Sequence, residues 1–256
     1  MISLRAHIFN LIFYLNMILF MVGCLPLLMG PRRWLVTALK LWANVSMWLH
    51  RVIVGTSVEF RHCERIPQGA FLVASKHQSL WETFALFTLF DDPAIVLKRE
   101  LMWIPLLGWY CQRLNMIPVD RGEGAKSLRK MIAYAKGEAA KGRQIIIFPE
   151  GTRAAPGADP EYRGGIALMY RLLGLPCLPV ALNSGWFWPR RKAIRYPGKI
   201  IVDILDPIPT GLAKPDFMKR LQGDIETAGD RIALETANEP NGPPVPVNCR
   251  GAVFTD

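Results

Sequence analysis

Acidic residues are scarce in this 256-residue chain. Lysine and arginine total 31 against 21 aspartates and glutamates, which gives a formal net charge of +10 at pH 7. Such an excess indicates an anionic partner, whether nucleic acid, anionic lipid or a phosphorylated substrate. Basic runs interleaved with aromatic residues, as nucleic-acid-binding modules carry them, are missing. Because 51% of the residues are hydrophobic, we expect an anionic membrane surface as a partner, and no nucleic acid.

Cysteine spacing and catalytic signatures exclude several further classes. The cysteines form neither a C-x-x-C pair nor a metal-ligand spacing, so we expect unpaired thiols in a reducing compartment and no metal site. The Gly-x-Ser-x-Gly elbow of serine hydrolases is missing. Residues 122–127 resemble a P-loop, but Ala125 stands where that pattern requires glycine, so no nucleoside triphosphate is expected. The five cysteines are Cys24, Cys63, Cys111, Cys177 and Cys249.

A long uncharged run at residues 8–29 predicts a membrane anchor. A helix of that length can cross a bilayer core of about 30 Å. Arg5 precedes the run, and Arg32 and Arg33 follow it. A cleaved signal peptide would have an apolar region of about 7–15 residues before a small-residue cleavage site. This run is longer and ends in Gly-Pro, so we expect it to be retained.

Residues 34–54 have the pattern of an amphipathic helix. Polar side chains recur at steps of four, three, four and seven, with tryptophans and leucines around them. Such a helix can lie in the membrane interface, return as the second leg of a shallow hairpin, or simply cover the domain that follows. We therefore assign residues 1–55 to a membrane-associated helical segment. The polar stripe consists of Arg33, Thr37, Lys40, Asn44 and Arg51.

From residue 56 onward, strand and helix patterns alternate. Helical patterns at 127–141 and 215–238 lie among the β-rich runs. This alternation predicts an α/β domain at 56–238, with a mixed, largely parallel sheet flanked by helices. The proline-rich stretch 239–256 predicts a flexible tail. The β-rich runs occur at 69–74, 93–97, 144–148, 176–182 and 199–205.

The segment from Ser75 to Glu82 follows an apolar run and opens a helical pattern. Glu82 stands five positions after His77 across this turn, so the carboxylate can reach back to the imidazole. A histidine held in this way can take a proton from a hydroxyl group. Ser79-x-x-Glu82 also has the form of a capping box, in which Glu82 would only satisfy backbone donors. Spacing alone leaves both interpretations open.

Two further segments place polar residues at the ends of apolar runs, where open α/β sheets bind ligands. The first is Phe-Pro-Glu-Gly-Thr-Arg at 148–153, in which Gly151 allows close backbone approach and Arg153 can grip a phosphate bidentately. The second joins Lys98 and Arg99 to Arg121, across an apolar stretch that either is buried or forms a ramp for an acyl chain. Solvated turns and ordinary core are the alternative explanations.

The order of these segments resembles the glycerolipid acyltransferase family over about residues 60–210. The resemblance rests on His77-x4-acid, Lys98-x-Glu-Leu with Val-Asp-Arg121, the 148–153 block and Leu-Pro179-Val-Ala. It implies that His77 is the catalytic base and that Glu82 takes the place of the family's aspartate. It further implies that Pro179 shapes the acyl-donor side. The residues it implies for the acceptor phosphate are Lys98, Arg121, Glu150, Gly151, Thr152 and Arg153.

The resemblance also implies a reaction. A fatty acyl group would pass from an acyl thioester to the sn-2 hydroxyl of 1-acyl-sn-glycerol-3-phosphate, giving phosphatidic acid. The partners would be the lysophospholipid and acyl-CoA or acyl carrier protein, with no cofactor, at the cytoplasmic side of an inner membrane. Alternatives are another acceptor such as a lyso-ornithine lipid, a lipid hydrolase, or a non-catalytic module that binds anionic lipid. Two departures from the family pattern are Glu82 in place of aspartate and Lys76 in place of asparagine.

Overall fold

A seven-stranded sheet forms the centre of the protein in a computed structural model that describes residues 2–120, 124–239 and 242–244. The strand order is β1-β7-β6-β2-β5-β3-β4. Every neighbouring pair is parallel except β6 and β7. The predicted mixed, largely parallel sheet is therefore confirmed. The strands are β1 Thr56–Arg61, β2 Leu72–Ser75, β3 Ala94–Lys98, β4 Ile117–Val119, β5 Ile145–Ile147, β6 Cys177–Leu182 and β7 Gly198–Ile204.

Eight α-helices surround this sheet in the described ranges. A five-residue π-helix, His50–Val54, extends the second helix, and short 3₁₀ turns occupy Leu25–Leu28, Cys63–Arg65 and Arg99–Trp103. The predicted helices at 127–141 and 215–238 correspond to α5 and α8. The α-helices are α1 Ile2–Gly23, α2 Arg32–Leu49, α3 Trp81–Leu89, α4 Leu107–Arg113, α5 Gly124–Ala139, α6 Gly165–Leu173, α7 Ser184–Phe187 and α8 Lys214–Ala237.

The sheet is covered on both faces, as a largely parallel sheet requires. Alternation along β5 divides its side chains: Ile145 and Ile147 join the core under α5, α6 and α8, whereas Ile146 joins the core on the opposite face. That opposite core includes Trp81 and Phe84 of α3. Strands β2, β5 and β6 are buried throughout. Their continuous burial explains why apolar runs, rather than alternating patterns, marked them in the sequence.

The first helix differs from its predicted bounds. It begins at Ile2 and ends at Gly23, so Arg5 lies inside it rather than before it, and the run 8–29 is not one helix. Pro26 explains the early end, because proline has no N–H and its ring collides with the preceding turn. Residues 25–28 instead form a 3₁₀ turn. Helix α1 remains the one helix in the described ranges that is long and apolar enough to cross a membrane.

Helices α1 and α2 pack on the domain as well as on each other. Phe9 and Phe13 are fully buried in the core that contains Trp81. On the polar stripe of α2, Lys40 donates hydrogen bonds to the carbonyls of Phe90 and Asp91 (2.6 and 3.0 Å), just beyond the C-terminal end of α3. The second helix thus covers the domain and returns alongside the first. Its outer side still exposes large apolar residues, among them Trp34, Leu41 and Trp48.

Two strands had no clear signal in the sequence. Strand β1 is a half-buried edge strand, and β4 has only three residues, one of which is proline. The predicted tail is described only at Glu239 and residues 242–244, and the rest of it lies outside the described residues.

Candidate active site

The imidazole of His77 lies in the turn between β2 and α3. The carbonyl of His77 accepts a hydrogen bond from the N–H of Ala154 (2.8 Å). Its ring stacks on Phe148, with the centroids 4.0 Å apart and the planes at 19°. The turns after β2 and β5 are therefore joined at His77, because these two strands are parallel neighbours whose carboxyl ends share one edge. The side chain is 13% exposed, so solvent or a substrate can reach it.

The carboxylate of Glu82 is fully buried beneath this imidazole. Its Oε1 accepts hydrogen bonds from Nδ1 of His77 (2.8 Å) and from the N–H groups of Gln78 (2.8 Å) and Ser79 (2.7 Å). Its Oε2 accepts a hydrogen bond from the hydroxyl of Ser184 (2.6 Å). Glu82 thus contacts the histidine and caps the turn at the same time. The additional methylene relative to aspartate does not keep the carboxylate from reaching the ring.

This contact sets the protonation pattern of His77. A buried carboxylate accepts hydrogen bonds, so the proton of a neutral imidazole belongs on Nδ1, and Nε2 carries a lone pair. The lone pair can accept a proton from a hydroxyl group, and the carboxylate then stabilises the imidazolium. The geometry is that of a general base with an orienting acid, on the carboxyl edge of the sheet.

The turn after β5 is shaped by Gly151. Its φ is +68°, a conformation that favours glycine. A Cβ atom at this position would also lie 2.9 Å from Cδ and Nε of Arg163. Local backbone geometry and the packing of Arg163 therefore explain this glycine without a ligand. Thr152, the next residue, is exposed.

Glu150 turns inward from the same segment. Its Oε2 accepts a hydrogen bond from the N–H of His77 (2.9 Å), and its Oε1 is buried without a partner among the described residues. Burial raises the pKa of this carboxyl to about 7, although the His77 N–H and nearby Lys76 oppose the shift. The geometry gives Glu150 a role in holding the His77 turn. Its assignment to the acceptor phosphate stays a prediction, and an ionised carboxylate would repel that group.

Lys76 connects the His77 turn to α8. Its ammonium, 9% exposed, forms an ion pair with Glu226, whose other carboxylate oxygen accepts a hydrogen bond from the hydroxyl of Tyr162 (2.9 Å). Burial and the nearby Glu226 raise the pKa of the Tyr162 hydroxyl. The lysine at this position thus neutralises the charge of Glu226. An asparagine is shorter and uncharged, so it could not do so.

The remaining predicted site residues are distributed along the carboxyl edge. Lys98 ends β3, two strands from β2, where its half-exposed ammonium pairs with Glu100 (2.6 Å). Arg121, expected just after β4, lies outside the described residues. Pro179 is buried within β6, and its carbonyl accepts a hydrogen bond from the N–H of Leu205 (3.0 Å). The roles predicted for Lys98, Arg121 and Pro179 are not tested by these placements and stay predictions.

Two site features were missed in the sequence. Ser184 lies two residues after the end of β6 and contacts Glu82, so the rule that polar residues gather at the carboxyl ends of parallel strands already pointed to it. Four cations within residues 190–195 form the second feature. Arg190 donates a hydrogen bond to the carbonyl of Arg153 (2.6 Å), which brings this basic segment to the turn after β5. A cluster of basic residues of this kind is visible in the sequence and could have indicated a binding site for an anion.

The sequence from β1 to the end of β6 is similar to that of a known protein family. Residues 57–183 match the family model described as Acyltransferase. These residues, about half of the chain, are therefore similar to an acyltransferase domain. The matched region includes the turns after β2 and β5 and ends at Asn183, next to Ser184.

Individual relatives cover a larger part of the chain. A 1-acyl-sn-glycerol-3-phosphate acyltransferase of Pseudomonas aeruginosa is 41% identical over 164 residues, which are 64% of this chain and 63% of that protein. The alpha enzyme of the same name from Ovis aries is 26% identical over 73% of this chain and 64% of that protein. The chain thus spans a little under two thirds of the length of these relatives.

A solved structure shares the fold. It is the crystal structure of the 1-acyl-sn-glycerophosphate (LPA) acyltransferase from Thermotoga maritima, with a TM-score of 0.77 over 91% of this chain and 98% of that chain. At 22% sequence identity, the likeness concerns the fold.

Proposed function

We propose that this protein transfers a fatty acyl group from an acyl thioester to the sn-2 hydroxyl of 1-acyl-sn-glycerol-3-phosphate. The observation that carries the proposal is the contact between His77 and the buried Glu82, in a region similar to an acyltransferase domain. The substrate in this proposal is the one for which the relatives from Pseudomonas aeruginosa and Ovis aries are named.

The chemistry follows from the free nitrogen of His77. Nε2 takes the proton of the acceptor hydroxyl as its oxygen bonds to the thioester carbonyl carbon. The carbon–sulfur bond then breaks, and the leaving thiolate receives that proton from the imidazolium. Glu82 stabilises the positive ring during this interval. The reaction is balanced without a covalent acyl-enzyme or a further cofactor, so we propose acyl-CoA or an acyl-carrier-protein thioester as the only co-substrate.

The membrane helps to bring the lipid acceptor to this site. Helix α1 is long and apolar enough to cross a membrane, and most of its residues are not buried in the protein. Near the far end of α1, the hydroxyl of Tyr110 donates to the carbonyl of Met21, and α4 exposes Trp109. We assign these apolar surfaces to the membrane and place the active site on its cytoplasmic side. Anionic lipid in that leaflet attracts a chain of net charge +10.

The decisive experiment offers the purified full chain a panel of acceptors with a labelled acyl thioester. We expect labelled phosphatidic acid from lysophosphatidic acid, and a loss of about 10²–10⁴-fold in turnover for His77→Ala. His62→Ala is the matched control. His62 also contacts a carboxylate, that of Asp203 (2.7 Å), but lies after the edge strand β1. A preference for a lyso-ornithine lipid would show that this lipid, and not lysophosphatidic acid, is the acceptor. Full turnover in His77→Ala would refute the mechanism.

A further inference from the structure

A cavity of about 310 Å³ lies between α1, the start of α3 and the basic segment 190–195. Arg153 forms part of its wall, and so does Leu80, which stands between His77 and Glu82 in the chain. The wall of the cavity thus includes a residue of the turn that carries the proposed catalytic pair. Its volume falls in the range of small-molecule sites, which is far too small for a folded partner.

The lining of this cavity carries strong positive charge. Five cations and no carboxylate line it. Other cations of the fold, such as Arg143 and Arg231, have carboxylate partners, whereas these five have none within the described part of the chain. Cations gathered without counter-charge repel one another, so a bound anion would relieve an unfavourable arrangement. The five are Arg153, Arg190, Arg191, Lys192 and Arg195.

The buried side chain of Arg195 holds the basic segment in place. This side chain is 4% exposed, and its guanidinium lies over the ring of Trp188, 4.6 Å from the centroid. Its Nη1 donates to the carbonyls of Lys192 and Ile194 (2.6 Å each), while its Nε is buried without a partner. Burial lowers the pKa of Arg195 to about 10, which still leaves the group charged at pH 7.

The segment is also tied to both neighbouring walls. Asn10 of α1 donates a hydrogen bond to the carbonyl of Ala193 (2.6 Å), and its own Oδ1 is buried without a partner. On the other wall, Arg190 donates to the carbonyl of Arg153 (2.6 Å). Two positions at the mouth, Arg191 and Lys192, are left exposed. The cavity wall thus contains buried polar atoms without partners among the described residues, and the two cations at its rim are exposed and can reach a ligand.

We infer that this cavity is a phosphate subsite, in which Arg191 and Lys192 bind a phosphate ester of a substrate whose reacting atoms lie at His77. The inference rests on the proposed function. Arginine suits the task because its planar fork pairs bidentately with phosphate oxygens. Two sources share this chemistry, namely the phosphate of the lysolipid acceptor and the phosphates of the coenzyme A donor.

The test removes the two rim cations. Arg191 has a φ of +58°, so Arg191→Gly removes the charge and suits the backbone conformation. Lys192→Ala removes the second charge at an exposed position. The matched controls are Arg171→Ala and Lys136→Ala, which remove exposed cations from the last turns of α6 and α5, at the opposite edge of the sheet.

Binding and kinetics are measured in nonionic detergent micelles, which remove anionic lipid from the surface. Losing one charge-assisted hydrogen bond weakens affinity by about 10- to 150-fold. We expect the double variant to raise KM by at least about tenfold for one substrate, with kcat within about twofold. A rise for lysophosphatidic acid alone assigns the phosphate to the acceptor, and a rise for acyl-CoA alone assigns it to the donor.

Calorimetric titration with lysophosphatidic acid and with coenzyme A separates this inference from the proposed function, because it needs no turnover. Weaker binding of one ligand to the double variant than to the controls supports the subsite even if the wild-type chain acylates a different acceptor. Equal affinity of the double variant and the controls for both ligands overturns the subsite. In that case the proposed function is still tested separately, by the turnover of the wild-type chain with lysophosphatidic acid.

Discussion

Replacing Glu82 with glutamine separates its two contacts. In the structure one carboxylate oxygen, Oε1, serves both the imidazole of His77 and the N–H groups of Gln78 and Ser79. A glutamine has nearly the same shape, and its amide oxygen can still accept the two backbone hydrogen bonds. What disappears is the negative charge beside the imidazole.

The magnitude of the catalytic effect follows from that charge. An imidazolium and a carboxylate with charge centres about 4 Å apart attract each other by about 4 kcal/mol at an effective dielectric constant of 20. This attraction exists only once His77 has taken the proton, so it stabilises the transition state and not the resting enzyme. The amide dipole of glutamine recovers part of it. We therefore expect kcat to fall by about 10²- to 10³-fold, since each 1.36 kcal/mol is tenfold in rate.

Stability changes much less in the same variant. Each backbone hydrogen bond to Glu82 weakens by about 1 kcal/mol when its acceptor becomes neutral, but the cost of burying a charge is removed as well. We expect the free energy of unfolding to change by less than about 2 kcal/mol, or a Tm shift below about 8 °C. Glu82→Ala, by contrast, leaves the N–H groups of Gln78 and Ser79 and the hydroxyl of Ser184 without this acceptor and should destabilise the turn.

The assay compares initial rates and thermal unfolding of wild type, Glu82→Gln, Glu82→Asp and Glu82→Ala with lysophosphatidic acid and an acyl thioester. Glu82→Asp keeps the charge and is expected to retain more activity than Glu82→Gln, although its carboxylate is one methylene shorter. Wild-type kcat in Glu82→Gln, with unchanged stability, would show that the carboxylate only caps the turn. The proposed electrostatic role would then be wrong.

Three further predictions concern other parts of the fold. Because burial raises the pKa of Glu150 from an ordinary 4.5 to about 7, the folded protein holds a proton that the unfolded chain releases. The contribution of Glu150 to stability is therefore fully present below pH 4.5 and is lost, by up to about 3 kcal/mol, as the pH rises from 4.5 through about 7. In Glu150→Gln, the difference between the free energies of unfolding in urea at pH 5 and pH 8 should be smaller than in the wild type. An equal difference would contradict the raised pKa of Glu150. Arg153→Ala should lower kcat/KM for lysophosphatidic acid by about 10- to 150-fold, with a smaller loss in Arg153→Lys. Its effect on monoacylglycerol should be much smaller, and an unchanged ratio of the two acceptors argues against phosphate recognition. Deleting residues 1–55 should abolish sedimentation with membranes. Because Phe9 and Phe13 belong to the core, the truncated domain should also unfold at a lower temperature, and an unchanged Tm would show that this packing is unimportant.

Local sequence signals predicted much of the central fold. Runs such as 144–148 and 176–182 were recognisable as strands because the central strands β5 and β6 are buried on both faces. Helices α5 and α8 were recognisable because one face of each is apolar at the helical period. Strand β1 was missed because an edge strand is only half buried, and β4 because three residues carry too little pattern. The first helix was placed too late because its apolar run continues past the bend at Pro26.

By itself, the sequence determined the order of the motifs and the presence of a histidine and a carboxylate five residues apart. Those are local properties, set by side-chain chemistry and by one turn between strand and helix. Only the tertiary structure showed that Glu82 contacts both His77 and the backbone of its turn, while its other oxygen accepts a hydrogen bond from Ser184, which is 102 residues away in the chain. Tertiary structure also joined Arg153 to the basic segment, through a hydrogen bond that spans 37 residues. Contacts of this kind arise because parallel strands bring their carboxyl ends to one edge, whatever their separation in the sequence.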